Sequence, residues 1–315
     1  MTVLDFESAA QFLLSHDRYT IVCHAAPDAD TVGSAAALVL LLRKKGKAAA
    51  AFCPDAMPER LAVFAGDGIF TGDPERCDTL VSVDVATPAM LGNMRDLLPP
   101  FDLSIDHHTV NTVKCENLLI KSKYISNCEI IAALYDQLSV GIDREAAKPL
   151  YAGICSDSGG FRYMNTRPET MRLAARLMET GIDAPEICRQ LFDRLSPATL
   201  ALLKAAYNSV ELFYGGKLAI VTVSREEFDE SGATDADLDE VKSVPRRIAG
   251  VEVSALIRPN AQGTQVSLRS NDYFDVAAVC QSFGGGGHVR AAGFHIDGTP
   301  EQAREMLIKA FDGKL

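Results

Sequence analysis

Several features that would place a protein at once are missing from this sequence. None of its eight cysteines (Cys23, Cys53, Cys77, Cys115, Cys128, Cys155, Cys188, Cys280) forms a Cys-x-x-Cys pair, so the usual spacing of a zinc site is absent. Several lie in apolar runs such as Ile21-Val22-Cys23, where a reduced core thiol is the ordinary reading. No apolar run is long enough to span a bilayer. The opening segment MTVLDFESAAQ lacks the basic-then-apolar pattern of a signal peptide. A reducing cytoplasm is the expected location, with no membrane partner. A basic stripe is missing too: 31 Lys and Arg face 42 Asp and Glu, for a net charge of -11. The densest basic cluster, Arg43-Lys44-Lys45 with Lys47, closes an apolar helical run, where it complements the helix dipole. Proteins that track long nucleic acids draw their affinity from phosphate neutralisation. A long nucleic acid is therefore excluded as partner, and any ligand should be small or short. The acidity suits a site that gathers cations through carboxylates.

What is present is an ordinary globular composition, 47% hydrophobic and 23% charged, which supports a sizeable core. At 315 residues the chain exceeds the usual reach of one core, so two domains are expected. Apolar, β-branched runs at 20–23, 48–52, 80–83 and 103–105 read as strands. Helical stretches at 33–45, 59–65, 87–98, 127–139 and 143–155 fall between and after them. That alternation predicts an α/β domain with a parallel sheet and helices on both faces. Residues 168–180 read as helix with Gly181 as stop, and 185–210 as further helix restarting at Ser196-Pro197. Beyond them, strands at 217–223, 251–257, 265–268 and 292–296 and helices at 275–283 and 300–311 predict a smaller α+β domain. Gly284–Gly287 interrupts it.

The histidines and aspartates carry the chemistry. His24-Ala-Ala-Pro27-Asp28-Ala-Asp30 follows the first strand directly, Asp84 follows 80–83, and Asp106-His107-His108 follows 103–105. Asp157 ends a helical run. In an open parallel sheet the C-terminal strand ends line the ligand crevice, so these groups should converge. Converging carboxylates repel unless cations neutralise them. Carboxylates mixed with imidazoles suit Mn²⁺ or Mg²⁺. Two such ions can clamp a phosphate and acidify a water. Each residue alone has an ordinary explanation: Asp30 as a helix N-cap, Asp106 and Asp157 as turn residues. Four unrelated segments supplying the same residue types make chance a poor account of the set.

The ordered motifs resemble the DHH phosphoesterase family. Gly284-Gly285-Gly286-Gly287-His288-Val-Arg-Ala291-Ala292-Gly293-Phe294, with Leu268-Arg269-Ser270 upstream, is similar to the DHH-associated C-terminal domain. The resemblance spans roughly residues 15–310. It implies a catalytic metal-binding domain over 1–185, a helical linker over 186–212 and a substrate-binding domain over 213–315, with the active site in the cleft between domains. By resemblance His24 and Asp28 hold one Mn²⁺ or Mg²⁺, Asp30, His107 and Asp157 hold a second, and Asp84 bridges them. His108 is placed beside the substrate phosphate, and Asp106 orients an imidazole. Arg269, Ser270, Gly285, Gly286, Gly287 and His288 would bind the phosphate, since glycines let backbone N–H groups approach an anion. Arg162 is a further candidate contact. Ala29 stands where many relatives have Gly, and Asn271 where some have a basic residue.

Added membrane segments mark one branch of the family, and added nucleic-acid-binding modules another; neither is found in this sequence. Pyrophosphatase relatives lack the glycine–histidine motif. What remains resembles the two-domain oligoribonucleases (nano-RNases) and 3′-phosphoadenosine 5′-phosphate phosphatases, with a phosphodiesterase of cyclic or linear di-AMP as the alternative. The expected partner is a short RNA or small nucleotide, and a homodimer is allowed. Met171, Met178 and Phe192 read as core, and His16 and His295 as non-ligands.

Overall fold

The computed structural model describes residues 1–71, 79–234, 237–260 and 263–315, without the side chains of Asp239 and His288. Cys77 therefore lies outside the described residues, and the other seven cysteines are free. The chain divides into two compact units, Met1–Arg194 and Leu195–Leu315.

In the first unit seven strands are described: β1 (Thr2–Val3), β2 (Arg18–Val22), β3 (Ala48–Phe52), β4 (Phe70–Thr71), β5 (Thr79–Val83), β6 (Phe101–Asp106) and β7 (Cys115–Ile120). All pair in parallel, in the order β1-β7-β6-β5-β2-β3-β4. Its helices are α1 (Phe6–Ser15), α2 (Ala29–Lys44), α3 (Glu59–Ala65), α4 (Asn127–Gln137), α5 (Arg144–Asp157), α6 (Pro168–Glu179) and α7 (Ala184–Cys188). The α/β class is as expected. The coverage of the two sheet faces is not symmetric. One face packs Ile21, Ala51, Val81 and Leu103 against the helices in the main core. The other packs Val22 and Phe52 against Leu91, with Met90, Met94 and Leu98 alongside and Phe101 at the margin of the same cluster. The helix expected over 87–98 is here only a 3₁₀ segment, Pro88–Met94, broken where Gly92 takes φ +54°. Such a turn covers the face without running along it.

α2 begins at Ala29, four residues earlier than its apolar run, because Asp28 caps it. Asp28 Oδ1 accepts the N–H groups of Asp30 and Thr31. Asp30 thus lies inside the first turn. α2 and α5 approach closely at two glycines. A Cβ on Gly33 would sit 2.4 Å from the Pro149 carbonyl oxygen, and one on Gly153 would sit 2.7 Å from Asp30 Oδ1 and 2.3 Å from Cys128 Sγ on α4. Only glycine permits that packing.

The second unit contains α8 (Pro197–Asn208), β8 (Glu211–Phe213), β9 (Leu218–Thr222), α9 (Arg225–Ser231), α10 (Leu238–Arg246), β10 (Val253–Asn260), β11 (Gly263–Ser270), α11 (Val276–Ser282), β12 (Gly286–His288), β13 (Ala291–Ile296) and α12 (Pro300–Phe311). Its mixed sheet runs β12-β13-β11-β10-β9-β8. The linker expected over 186–212 divides: residues to 194 stay with the first unit, while α8 buries Leu202, Leu203 and Ala206 against Val221 and Val241 of the second. The glycine run does not simply interrupt the sheet, because its last residues form the edge strand β12. Met171 and Met178, expected in the core, are about half exposed on α6, and Phe192 packs at the core margin. No helix among the described residues is long and apolar enough to cross a membrane.

Candidate metal centre

Strand order decides which residues meet. From β2 the chain steps outward through β3 and β4, then returns to β5 on the other side of β2 and continues to β6. The order therefore reverses between β2 and β5, the usual ligand position in such a sheet. His24 follows β2, Asp84 follows β5, and Asp106-His107-His108 ends β6.

Among the described residues, three groups of side chains present ligand atoms within 4.8 Å of one another: His24, Asp28 and Asp84; Asp30, His107 and Asp157; and Asp84, His107 and His108. His24 Nε2 stands 3.7 Å from Asp28 Oδ2 and 3.6 Å from Asp84 Oδ2. His107 Nε2 stands 3.4 Å from Asp84 Oδ1, 3.6 Å from Asp157 Oδ2 and 3.9 Å from Asp30 Oδ2. These separations exceed hydrogen-bond length and leave room for a cation among the atoms. Asp84 is central. One oxygen faces His24 and the other faces His107, and buried Oδ1 has no hydrogen-bond partner. An orphaned carboxylate oxygen among imidazoles fits a divalent cation, and the mixture of imidazole and carboxylate suits Mn²⁺ or Mg²⁺.

The neighbours aim these ligands. His24 Nδ1 lies 2.7 Å from the Ala25 carbonyl oxygen, so it carries the proton and Nε2 faces the carboxylates. Asp84 takes φ +59°, a left-handed conformation that costs a non-glycine residue about 1 kcal/mol. Its N–H is tied to the Ile105 carbonyl at 3.0 Å. Asp30 is fully buried, and its two oxygens accept the first N–H groups of α4, from Asn127 at 2.6 Å and Cys128 at 2.9 Å. Asp157 ends α5 one turn beyond Gly153, whose close packing on Asp30 brings the two carboxylates together. His108 differs from His107: its Nδ1 is held at 2.7 Å by Asp106 Oδ1.

The electrostatics describe a site short of positive charge. Burial works against charge on His24, but Asp28 and Asp84 outweigh it and push the imidazole up to about 11. Burial is likewise outweighed at His107, which Asp84, Asp30 and Asp157 push up to about 10. Burial and the Asp84 charge push Asp30 up to about 7. Burial, then repulsion from Asp30, Asp28 and Asp84, holds Asp157 well above the usual carboxylate range. Groups so perturbed at a strand-end crevice mark a functional site.

The other expected residues are not members of these groups. Arg162 follows α5, with its Nε on the Gly159 carbonyl and its guanidinium over the Phe192 ring. Arg269 and Ser270 end β11 in the second unit, and Ser270 Oγ is buried without a hydrogen-bond partner. Gly285 and Gly287 are required by packing: a Cβ would sit 2.2 Å from the Gly293 oxygen or 2.5 Å from the Ala291 oxygen. Gly286 meets nothing within 4 Å, so there the backbone is open to a ligand. His288 continues β12. The motifs did not reveal the α4 N–H groups that hold Asp30, nor Gly33 and Gly153. The only available signal for the last two was glycine inside otherwise helical runs.

The DHH family N-terminal domain matches residues 18–154, and the DHHA1 domain matches residues 215–315. The chain is 30% identical over 294 residues to the bifunctional oligoribonuclease and PAP phosphatase NrnA of Thermus thermophilus, covering 92% of this chain and 88% of that protein. Its fold is similar to the crystal structure of an exopolyphosphatase-related protein from Bacteroides fragilis (TM-score 0.89, 24% identity, 98% of this chain and 95% of that one). It is also similar to that of the exonuclease RecJ bound to manganese (TM-score 0.55, 16% identity, 100% and 96%). The chain belongs to the DHH/DHHA1 phosphoesterases and is a metal-dependent hydrolase.

Proposed function

We propose that this protein hydrolyses short oligoribonucleotides to mononucleotides and 3′-phosphoadenosine 5′-phosphate to AMP and phosphate, using two Mn²⁺ or Mg²⁺ ions. The observation that carries the chemistry is the Asp84 carboxylate, with one oxygen toward each candidate cluster. The substrate class is supported by the Thermus relative, whose name gives both activities and whose likeness runs through both domains. The manganese of RecJ supports the choice of ion.

In this reading His24 and Asp28 would hold one ion, Asp30, His107 and Asp157 would hold the other, and Asp84 would serve both. Bound there, divalent cations supply Lewis-acid charge for phosphoester hydrolysis and acidify a water. The chain's own groups do the rest. Asp106 Oδ1 accepts a hydrogen bond from Nδ1–H of His108, which leaves Nε2 to face the substrate phosphate. The N–H groups that hold Asp30 leave its remaining lone pairs for the ion. Arg269, Ser270, Gly286, His288 and Arg162 are the proposed phosphate contacts, by charge-assisted hydrogen bonds. The net charge of -11 disfavours a long polyanionic substrate.

A product assay with Mn²⁺ tests the proposal. The panel is an RNA dinucleotide, a five-residue RNA, 3′-phosphoadenosine 5′-phosphate, and linear and cyclic di-AMP. Fast turnover of the short RNAs and the bisphosphate is expected. A strong preference for the di-AMP species would replace this substrate assignment with a signalling phosphodiesterase. No turnover of any member would overturn the nucleotide reading.

A further inference from the structure

The loop after β6 carries a side chain that links two strand ends. Asn111 Nδ2 donates to Asp106 Oδ2 at 2.8 Å and to the Val85 carbonyl at 2.8 Å. A weaker approach to Ser104 Oγ measures 3.5 Å. Asn111 Oδ1 accepts the Val113 N–H at 3.0 Å. Both amide hydrogens and the oxygen are engaged, so the amide's sense is fixed. Turned over, Oδ1 would face a carboxylate and a carbonyl, and two acceptors would lose their donor.

An asparagine in a loop is often no more than a turn former, and the bond to Val113 is of that kind. The two donated bonds are different, because each leaves the loop. One reaches Asp106, which is fully buried and whose other oxygen holds both Nδ1 and the backbone N–H of His108, at 2.7 and 3.2 Å. Pinning Oδ2 sets the plane of that carboxylate, and with it the His108 ring. The other reaches the residue after Asp84, whose left-handed backbone is tied on its N-terminal side to Ile105. The Asn111 bond ties the C-terminal side.

We infer that Asn111 is a positioning residue for phosphoester hydrolysis: through one amide it holds the Asp84 backbone and the Asp106–His108 pair in register at adjacent strand ends. This rests on the two-cation reading above. Asn111 touches neither substrate nor ion and acts through the groups it holds.

The test uses the full chain with Mn²⁺ and whichever of the RNA dinucleotide or the bisphosphate the wild type turns over. Asn111→Ala and Asn111→Asp are made alone, and Asn111→Ala is also made with Asp106→Ala. Asn111→Asp keeps the size and the Val113 acceptor but sets a carboxylate against a carboxylate. In Asn111→Ala kcat should fall about ten- to hundredfold, the effect of losing one or two hydrogen bonds to charged or strained groups. KM should stay within about threefold and Mn²⁺ stoichiometry should be unchanged. Asn111→Asp should lose more. In the Asp106→Ala background the loss from Asn111→Ala should shrink, since one of its two routes is already cut. A kcat within about twofold of wild type in both folded variants overturns the inference, and so does a loss undiminished in the double variant. Should the variants unfold, the side-chain amide hydrogens of wild-type Asn111, read in ¹⁵N spectra, decide without turnover. Both donate in the fold, so slow exchange with solvent is expected, and exchange of both at the rate of a free amide overturns the inference. Absence of both Mn²⁺ binding and turnover in the wild type would sink the two-cation reading itself; an active wild type with insensitive variants sinks this inference alone.

Discussion

Replacing Asp84 by Asn keeps its volume and removes the charge between the two clusters. Asp84 is 2% exposed, with Oδ2 3.6 Å from His24 Nε2 and Oδ1 3.4 Å from His107 Nε2. Losing even an outer partner of a ligand costs roughly 10- to 100-fold in metal affinity or activity. Asp84 faces both clusters, so two such losses compound to about a thousandfold in kcat, or ~4 kcal/mol of barrier. Stability should respond differently. In chelator, the substitution removes a partner from His24 and His107 but relieves repulsion on Asp30 and Asp157, so the two changes oppose each other. The melting temperature should move little. Saturating Mn²⁺ stabilises a folded chain by ~2.7 kcal/mol per site at a hundred times Kd. Wild type should gain about two such increments and the variant no more than one. The assay is turnover paired with thermal melts in chelator and in Mn²⁺. An Asp84→Asn protein that keeps kcat within tenfold and the full Mn²⁺ stabilisation would refute the reasoning.

Other outcomes follow from the same geometry. His24 and His107 are raised to about 11 and 10, so in the metal-free chain both are protonated at neutral pH. Metal binding should therefore release at least two protons, with Asp157 and Asp30 adding to the count, readable by calorimetry at pH 7.5 in buffers of different ionisation enthalpy; a buffer-independent heat contradicts this. In chelator, the stability that these histidines add is full below their unfolded value and lost as pH rises through about 10 to 11. Asp30, raised to about 7, takes away stability as pH rises from the usual carboxylate range to about 7. Urea midpoints of the chelated chain should thus fall steadily above pH 4, and a rise toward pH 7 contradicts the assignment. Gly153→Ala forces a methyl within 2.7 Å of Asp30 Oδ1 as well as against Cys128. It should cost roughly 1–3 kcal/mol in urea unfolding and weaken Mn²⁺ binding, whereas an unperturbed variant would show that α2 and α5 do not pack so closely. In the second unit, Gly287→Ala should lower the melting temperature through its φ of +142° and the clash with Ala291, while Gly286→Ala should leave it unchanged. Equal effects from the two would contradict the register of β12.

The site was legible where residue type and position coincided. His24, Asp84 and the Asp106-His107-His108 triplet each follow a short β-branched run, and the sheet brings those ends together at the strand-order reversal. The fold class was legible for the same reason. What stayed hidden depends on tertiary contact. β7, Cys115–Ile120, is short and half polar, so its periodicity gave no signal. The segment expected as helix at 87–98 has helical composition, but Gly92 breaks it. β12 is built from glycine, which carries no strand propensity, and exists because Gly286 and Gly287 pair with Gly293 and Ala292. Asn111 sits in a polar loop, and only the folded arrangement of β5 and β6 determines where its amide points. The α6 methionines follow a helical period yet face outward, because Thr170, Ala174 and Leu177 form the buried stripe.

Electron paramagnetic resonance of the Mn²⁺-titrated chain reads directly whether a pair of cations shares Asp84. Two Mn²⁺ per chain, with an exchange-coupled multiline spectrum at the second equivalent that is lost in Asp84→Asn, is the expected result. One Mn²⁺ per chain with an uncoupled six-line spectrum would contradict the account.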